Sequence, residues 1–224
     1  MKNSCDQPML ALLLFLVVSA PLALVRAGEP TDQIRQTTDK ILAIVQDPAM
    51  KGSDKDKERQ KQMRKSIDER FEWDAMARSA LGKHWRDLSA AQRAEFTELF
   101  SELIEKNYLS QIESYTGEKI LYKGDKVDGA YGVADVVIVT LRGTDIPVSY
   151  RVLKKGAEWL VYDVSIEGVS LVNNYRSQIG AILNRSAYDN LIAKIRAKIA
   201  ASPPERATQK VRGTAEQKPK EDAL

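Results

Sequence analysis

The feature that most limits the fold of this chain is a double change in hydrophobic period. Up to about residue 115 apolar residues recur every three to four positions, from 118 to 167 they alternate, and after Gly168 the helical spacing returns. A helix-period segment cannot bury its apolar face as a strand, nor the reverse. The order is therefore helices, then strands joined by short turns, then helices, which implies an α+β domain.

The helical part opens at Pro30-Thr31-Asp32, where Ile34, Thr38, Ile41, Leu42 and Val45 mark one face and Asp47-Pro48 ends it. Residues 54–71 are densely charged, with Met63, Ile67 and Phe71 as a narrow stripe, so a surface helix is expected there. A short helix follows from Asp74 to Trp85. Ser89-Ala90-Ala91-Gln92 is a capping box for the longest helix, whose stripe runs Phe96, Leu99, Phe100, Leu103, Ile104, Tyr108, Ile112 and Tyr115. Four strands are expected at 118–127, 132–142, 146–155 and 158–167, with turns at Gly143-Thr144-Asp145 and Gly156-Ala157. Such turns predict an antiparallel meander. Ile146, Val148, Tyr150 and Val152 should share one face of the third strand, and Leu160, Tyr162, Val164 and Ile166 one face of the fourth. The second strand is apolar on both faces and should be central. A four-stranded antiparallel meander curled against several helices would enclose an apolar pocket.

Residues 1–27 have the form of a secretory signal peptide, with an apolar run from Met9 to Val25 closing on Val25-Arg26-Ala27. Export to the periplasm is the expectation. Cys5, the sole cysteine, would leave with this segment, so the fold must be held by its core rather than by disulfides. With 34 basic against 31 acidic residues the charge is nearly balanced, and nothing points to nucleic acid. Residues 28–201 form the expected folded domain. From Ser202 the chain gains Pro, Lys and Glu and loses aromatics, which predicts a disordered charged tail over 202–224.

Catalytic chemistry has little to stand on. His84 is the only histidine, so a His- or Cys-rich metal site is excluded. No glycine-rich phosphate loop and no Gly-x-Ser-x-Gly elbow is present. Asp135 and Asp163 interrupt apolar strands, and in a cone-like α+β fold such carboxylates can act as general bases. They define the alternative reading, a small isomerase- or dehydratase-type enzyme acting on a hydrophobic substrate.

Two stretches carry more than pattern. Leu81-Gly82-Lys83-His84-Trp85-Arg86 is followed by Ser89, Gln92, Phe96 and Phe100; Trp159-Leu160-Val161-Tyr162-Asp163-Val164 leads into Ile166 to Val172 and Asn174-Tyr175-Arg176-Ser177-Gln178. Together they resemble the periplasmic phospholipid-binding component of the Mla (maintenance of lipid asymmetry) ABC transport system, also called the toluene-tolerance auxiliary family. The resemblance runs from about residue 30 to 200; the tail lies outside it. It implies a monomeric carrier, without cofactor or catalysis, that holds a glycerophospholipid by its acyl chains. It also implies exchange with an inner-membrane MCE-domain ABC complex and an outer-membrane lipoprotein complex. Large apolar side chains on inward positions are then the candidate lipid contacts: Phe100, Leu103, Ile104 and Tyr108 on the long helix, and Val137, Val139, Val148, Tyr150, Val152, Val161 and Val164 on the sheet. Val169, Leu171 and Tyr175 would stand at the mouth, and Asp163 and Arg176 would cap or pair at the sheet-to-helix junction.

Overall fold

A computed structural model describes residues 28–201; the expected signal peptide and charged tail lie outside the described residues. The described residues form six α-helices and one antiparallel sheet: α1 (Glu29–Gln46), α2 (Asp56–Asp68), α3 (Trp73–Leu81), α4 (Ala90–Glu113), β1 (Lys119–Asp128), β2 (Tyr131–Val139), β3 (Asp145–Lys155), β4 (Glu158–Ile166), β5 (Val169–Ser170), α5 (Leu171–Leu183) and α6 (Tyr188–Ala200). A 3₁₀ turn, Gly82–Asp87, joins α3 to α4. The capping box forms as expected, with Ser89 Oγ accepting from Gln92 N at 3.2 Å and Gln92 Oε1 accepting from Ser89 N at 2.9 Å.

The sheet has five strands in the order β1-β2-β3-β4-β5, one more than the sequence predicts. The extra strand is two residues long and folds back on β4 through Glu167 (φ 51°) and Gly168 (φ 81°). Positive φ at both central residues matches the twist of a two-residue hairpin. A strand this short leaves no alternation to read.

Two irregularities change which residues face inward. The register of β1 shifts between Tyr122 and Gly124, and that of β4 between the partners of Arg151 and Val152. On one face stand Tyr122, Val136, Val148 and Ile166 in one row, Ala134, Tyr150 and Val164 in the next, and Val152 beside Val161. This face packs with Ile34 of α1, Tyr108 of α4 and Leu171 of α5. The expectation that Leu160 and Tyr162 share the face of Val164 and Ile166 is corrected by the β4 bulge. Trp159 and Val161 take the inner positions before it, and Tyr162 packs toward the helices.

A second apolar cluster is wholly helical in its centre. Phe96 stacks on Phe100 at 5.4 Å, and Phe100 meets Tyr175 edge-on at 5.3 Å. Around them pack Met76, Leu81, Leu103, Ile179, Leu191 and Ile195, all nearly free of solvent.

Helices and sheet are fastened by the segment that leaves α2. Val161 N donates to Arg70 O, and Glu72 N to Val161 O, both at 2.8 Å, so this segment runs as a short parallel addition to the edge of β4. The buried Arg70 side chain donates from Nη1 to Trp159 O (2.9 Å), Gln33 Oε1 (2.7 Å) and Glu158 Oε2 (2.9 Å), and from Nε to Thr37 Oγ1 (3.0 Å). One guanidinium thus joins α1, the end of α2 and β4. Breaking a buried charged network costs on the order of 3 kcal/mol. Arg70→Ala should therefore lower the unfolding free energy by about that amount in urea titration, whereas a loss below about 1 kcal/mol, the range of a surface pair, would show that the network is dispensable.

Candidate functional site

The inner face of the sheet is not closed off uniformly. Near the ends of β2 and β4 close to Trp159, its side chains are sealed: Ala134, Val152, Trp159 and Val161 are almost fully buried against α1. Toward the β2–β3 turn, Tyr122, Ile138, Ile146, Tyr150 and Ile166 are only half-buried, and Tyr108 of α4 faces the same cluster. These six residues give an apolar surface whose packing is incomplete. It lies between a sheet face and a helix whose Phe96, Phe100, Leu103 and Ile104 are already committed to the helical cluster.

Tyrosine hydroxyls are the polar groups of this region. Burial pushes Tyr150 up to about 12, with nearby Tyr122 adding to the effect. Burial likewise pushes Tyr108 up to about 12, with Tyr175 adding. Tyr175 is raised by burial, although its hydroxyl accepts from Asn107 Nδ2 at 2.7 Å. Burial pushes the Tyr122 phenol up and the neighbouring Thr38 side chain of α1 draws it back as a hydrogen-bond partner, although no bond to this hydroxyl among the described residues has full hydrogen-bond geometry. Such a group is expensive unless something pairs with it.

The residues expected from sequence separate into distinct places. Tyr108 and Tyr150 belong to the half-open surface, and Val148 and Val164 lie beside it on the same face. Val152 and Val161 are in the sealed part under Trp159, with Leu171 in the same cluster. Phe100, Leu103, Ile104 and Tyr175 are in the helical cluster. Val137 and Val139 are placed on the opposite face of the sheet, Val137 between Leu121 and Pro147 and Val139 between Lys119 and Asp145. The expectation that they point inward is corrected: β2 is apolar on both faces, so its alternation does not say which side is in. Val169, expected at the mouth, is 60% exposed in the β4–β5 hairpin. Tyr122, Ile138, Ile146 and Ile166 were missed. Pairing Ile138 with Ile146 across the β2–β3 hairpin would have found two of them.

The two carboxylates of the enzyme alternative have structural partners. Asp135 is on the outer face and accepts from Ser149 Oγ at 2.6 Å. Asp163 is buried, and it accepts from Ser170 Oγ at 2.7 Å and from Val172 N at 3.1 Å. Asp163 thus ties the first turn of α5 to β4, a capping role at the sheet-to-helix junction. Among the described residues no group of three or more His, Cys, Asp or Glu could hold a metal ion. No helix among them is long and apolar enough to cross a membrane.

The enclosed tyrosines set a pH dependence. A tyrosine in the unfolded chain ionises near 10, whereas Tyr108 and Tyr150 keep their protons to about 12. Between these values the unfolded state holds fewer protons than the folded one, so stability falls as pH rises. Their contribution is complete below about pH 10 and declines toward about pH 12. Absorbance titration of the folded protein should show late-ionising tyrosines, and Tyr108→Phe with Tyr150→Phe should flatten the alkaline loss of stability. A single ordinary transition near pH 10 would contradict the enclosure of both phenols.

Three comparisons bear on what this arrangement is. The MlaC protein family profile matches residues 35–197. The intermembrane phospholipid transport system binding protein MlaC of Haemophilus influenzae is 30% identical over 120 residues, which cover 51% of this chain and 56% of that protein. The matched part is thus little more than half of that relative's length. A phospholipid-binding protein from Ralstonia solanacearum, solved in complex with a phospholipid, superposes with a TM-score of 0.69 at 21% identity, covering 77% of this chain and 98% of that one. The last likeness is one of fold, and the first spans nearly all the described residues: this chain belongs to the MlaC family.

Proposed function

We propose that this chain is a periplasmic phospholipid carrier whose acyl-chain site is the half-open surface between the sheet and α4. The observation that carries the reading is the set Tyr108, Tyr122, Ile138, Ile146, Tyr150 and Ile166, which face one interior yet are left incompletely packed. Protein interiors are normally filled to crystal-like density. An apolar surface left half-covered inside a fold is a place for an apolar ligand. Family membership and the phospholipid named for both relatives support the same conclusion.

The energetics fit. Two acyl chains of about 16 carbons would cost on the order of 20 kcal/mol to expose to water, at about 0.8 kcal/mol per methylene. The carrier must cover nearly all of that surface, yet hold it no more strongly than a bilayer does, or release would fail. Valine, isoleucine and tyrosine surfaces meet both demands, since they offer burial without a charged anchor. The partners that suit such a carrier are an MCE-domain ABC complex at the inner membrane and a lipoprotein complex at the outer membrane. No catalytic step is assigned: Asp135 and Asp163 are both occupied in holding the fold.

Native mass spectrometry of the chain from Gly28 onward, purified from cells without detergent, tests this directly. A discrete added mass that extracts as diacyl phospholipid is expected, and bare polypeptide that also takes up no lipid from vesicles would overturn the reading. Overfilling an interior position costs about 1–3 kcal/mol, so Ile146→Trp should reduce lipid occupancy roughly tenfold to a hundredfold while circular dichroism stays native. Val137→Trp, on the opposite face, should leave occupancy unchanged.

A further inference from the structure

A second site lies outside the apolar interior. The C-terminal turn of α3, the 3₁₀ turn and the second turn of α5 enclose a concavity of about 470 Å³ lined by Arg78, Ser79, Gly82, Lys83, Arg86 and Arg176. Four of these six side chains are cationic and none is acidic. Arg59, Arg64, Arg70 and Arg196 each have a carboxylate within ion-pair distance, but none of the four cations here has one among the described residues. The C-terminal dipole of α3 offsets only about half an elementary charge, far too little to balance the four.

The four cations are exposed, and the backbone turn that brings them together is fixed. Gly82 has φ +56°, and a Cβ there would stand 2.8 Å from Arg176 Nε and 3.0 Å from its Nη2. The Arg176 guanidinium therefore lies against Gly82, whose positive φ is what calls for a glycine there. Arg78 lies over the Trp85 ring at 5.6 Å. Arg93 fixes the turn from below, donating from Nε to Trp85 O at 3.0 Å and from Nη2 to Arg86 O at 3.2 Å. The two sequence stretches singled out above, around Gly82 and around Arg176, meet at this point although they are far apart in the chain.

We propose that this pocket binds a phosphate group, carried either by the headgroup of an acidic phospholipid or by a soluble phosphate. Planar guanidinium forks match phosphate oxygens in paired hydrogen bonds, which an ammonium cannot do alone. The volume exceeds that of a bare phosphate and leaves room for an attached headgroup. Like charges gathered without a counter-charge repel one another, and a bound dianion relieves that repulsion. None of the pocket residues belongs to the half-open interior surface, so the site does not depend on the carrier reading.

The test uses the full chain and two probes, inorganic phosphate followed by calorimetry and co-flotation with phosphatidylglycerol or phosphatidylcholine vesicles at low salt. Arg86→Gln with Arg176→Gln should weaken the binding roughly tenfold or more, the scale of losing charge-assisted pairs. Lys83→Gln, at an exposed position, serves as a second variant should the first pair fold poorly. Preference for phosphatidylglycerol that phosphate competes away identifies a lipid headgroup; phosphate binding without vesicle preference identifies a soluble ligand. The proposal is overturned if neither probe binds, or if binding persists unchanged in the variants. Interior lipid content by mass spectrometry should be the same in all variants, which separates failure of this site from failure of the carrier.

Discussion

Closure of the two layers depends on the short segment Arg70–Glu72. Its backbone pairs with β4 at Val161, on the stretch of that edge that β5, pairing only Ser165 and Ile166, does not reach. An unpaired strand edge is a liability, and here the chain leaving α2 removes it while delivering α3 to the sheet. Phe71, in the middle of the segment, touches both apolar clusters. The Arg70 guanidinium adds the third body by reaching α1 through Thr37 and Gln33. Without this junction the sheet and the helical cluster would be two separate half-cores, and the space between them would have no fixed width.

That fixed width matters because the two half-cores are built to different standards. The helical cluster is filled with rigid aromatics in direct contact, Phe96 on Phe100 and Phe100 against Tyr175. The sheet side grades from the sealed Trp159 region to half-covered Ile138, Ile146 and Ile166. A solid core on one side supplies the stability that an incompletely filled interior on the other side gives up. α4 belongs to both: its residues from Phe96 to Ile104 face the helices, and Tyr108, one turn on, faces the sheet.

The sequence made the succession of elements legible because period and caps are local signals. The stripe and the Ser89 box defined α4, and the short turns defined a meander. What it could not convey was parity. In β4 the bulge near Tyr162 moves Val161 inward and Leu160 outward, and a bulge leaves no obligatory residue signature here. In β2, Val136, Val137, Ile138 and Val139 are all apolar, so only pairing with β3 tells which two face in. Of the half-open surface, Tyr108 and Tyr150 were among the residues expected, from the helix and from β3, whose polar residues Ser149 and Arg151 fix the alternation; the β2 expectations, Val137 and Val139, fall on either side of the inward Ile138. The fifth strand escaped for another reason: it exists through the Glu167-Gly168 turn, and a glutamate at positive φ is contrary to local preference.

The same distinction explains why these cations could be named in the sequence without their meeting being seen, and why Arg176, expected to cap or pair at the sheet-to-helix junction, lies against Gly82 instead. Lys83, Arg86 and Arg176 are unremarkable along the chain, since charged residues on helices are usually solvated. Their meaning comes from convergence, and convergence depends on Gly82. Its positive φ turns the chain sharply after Leu81, beside Arg176. A carrier's affinity for its cargo must stay weak enough for release, so long-range attraction to an acidic surface cannot come from the apolar interior. Placing charge on a separate surface pocket allows encounter and cargo affinity to be set independently, with the first sensitive to ionic strength and the second not.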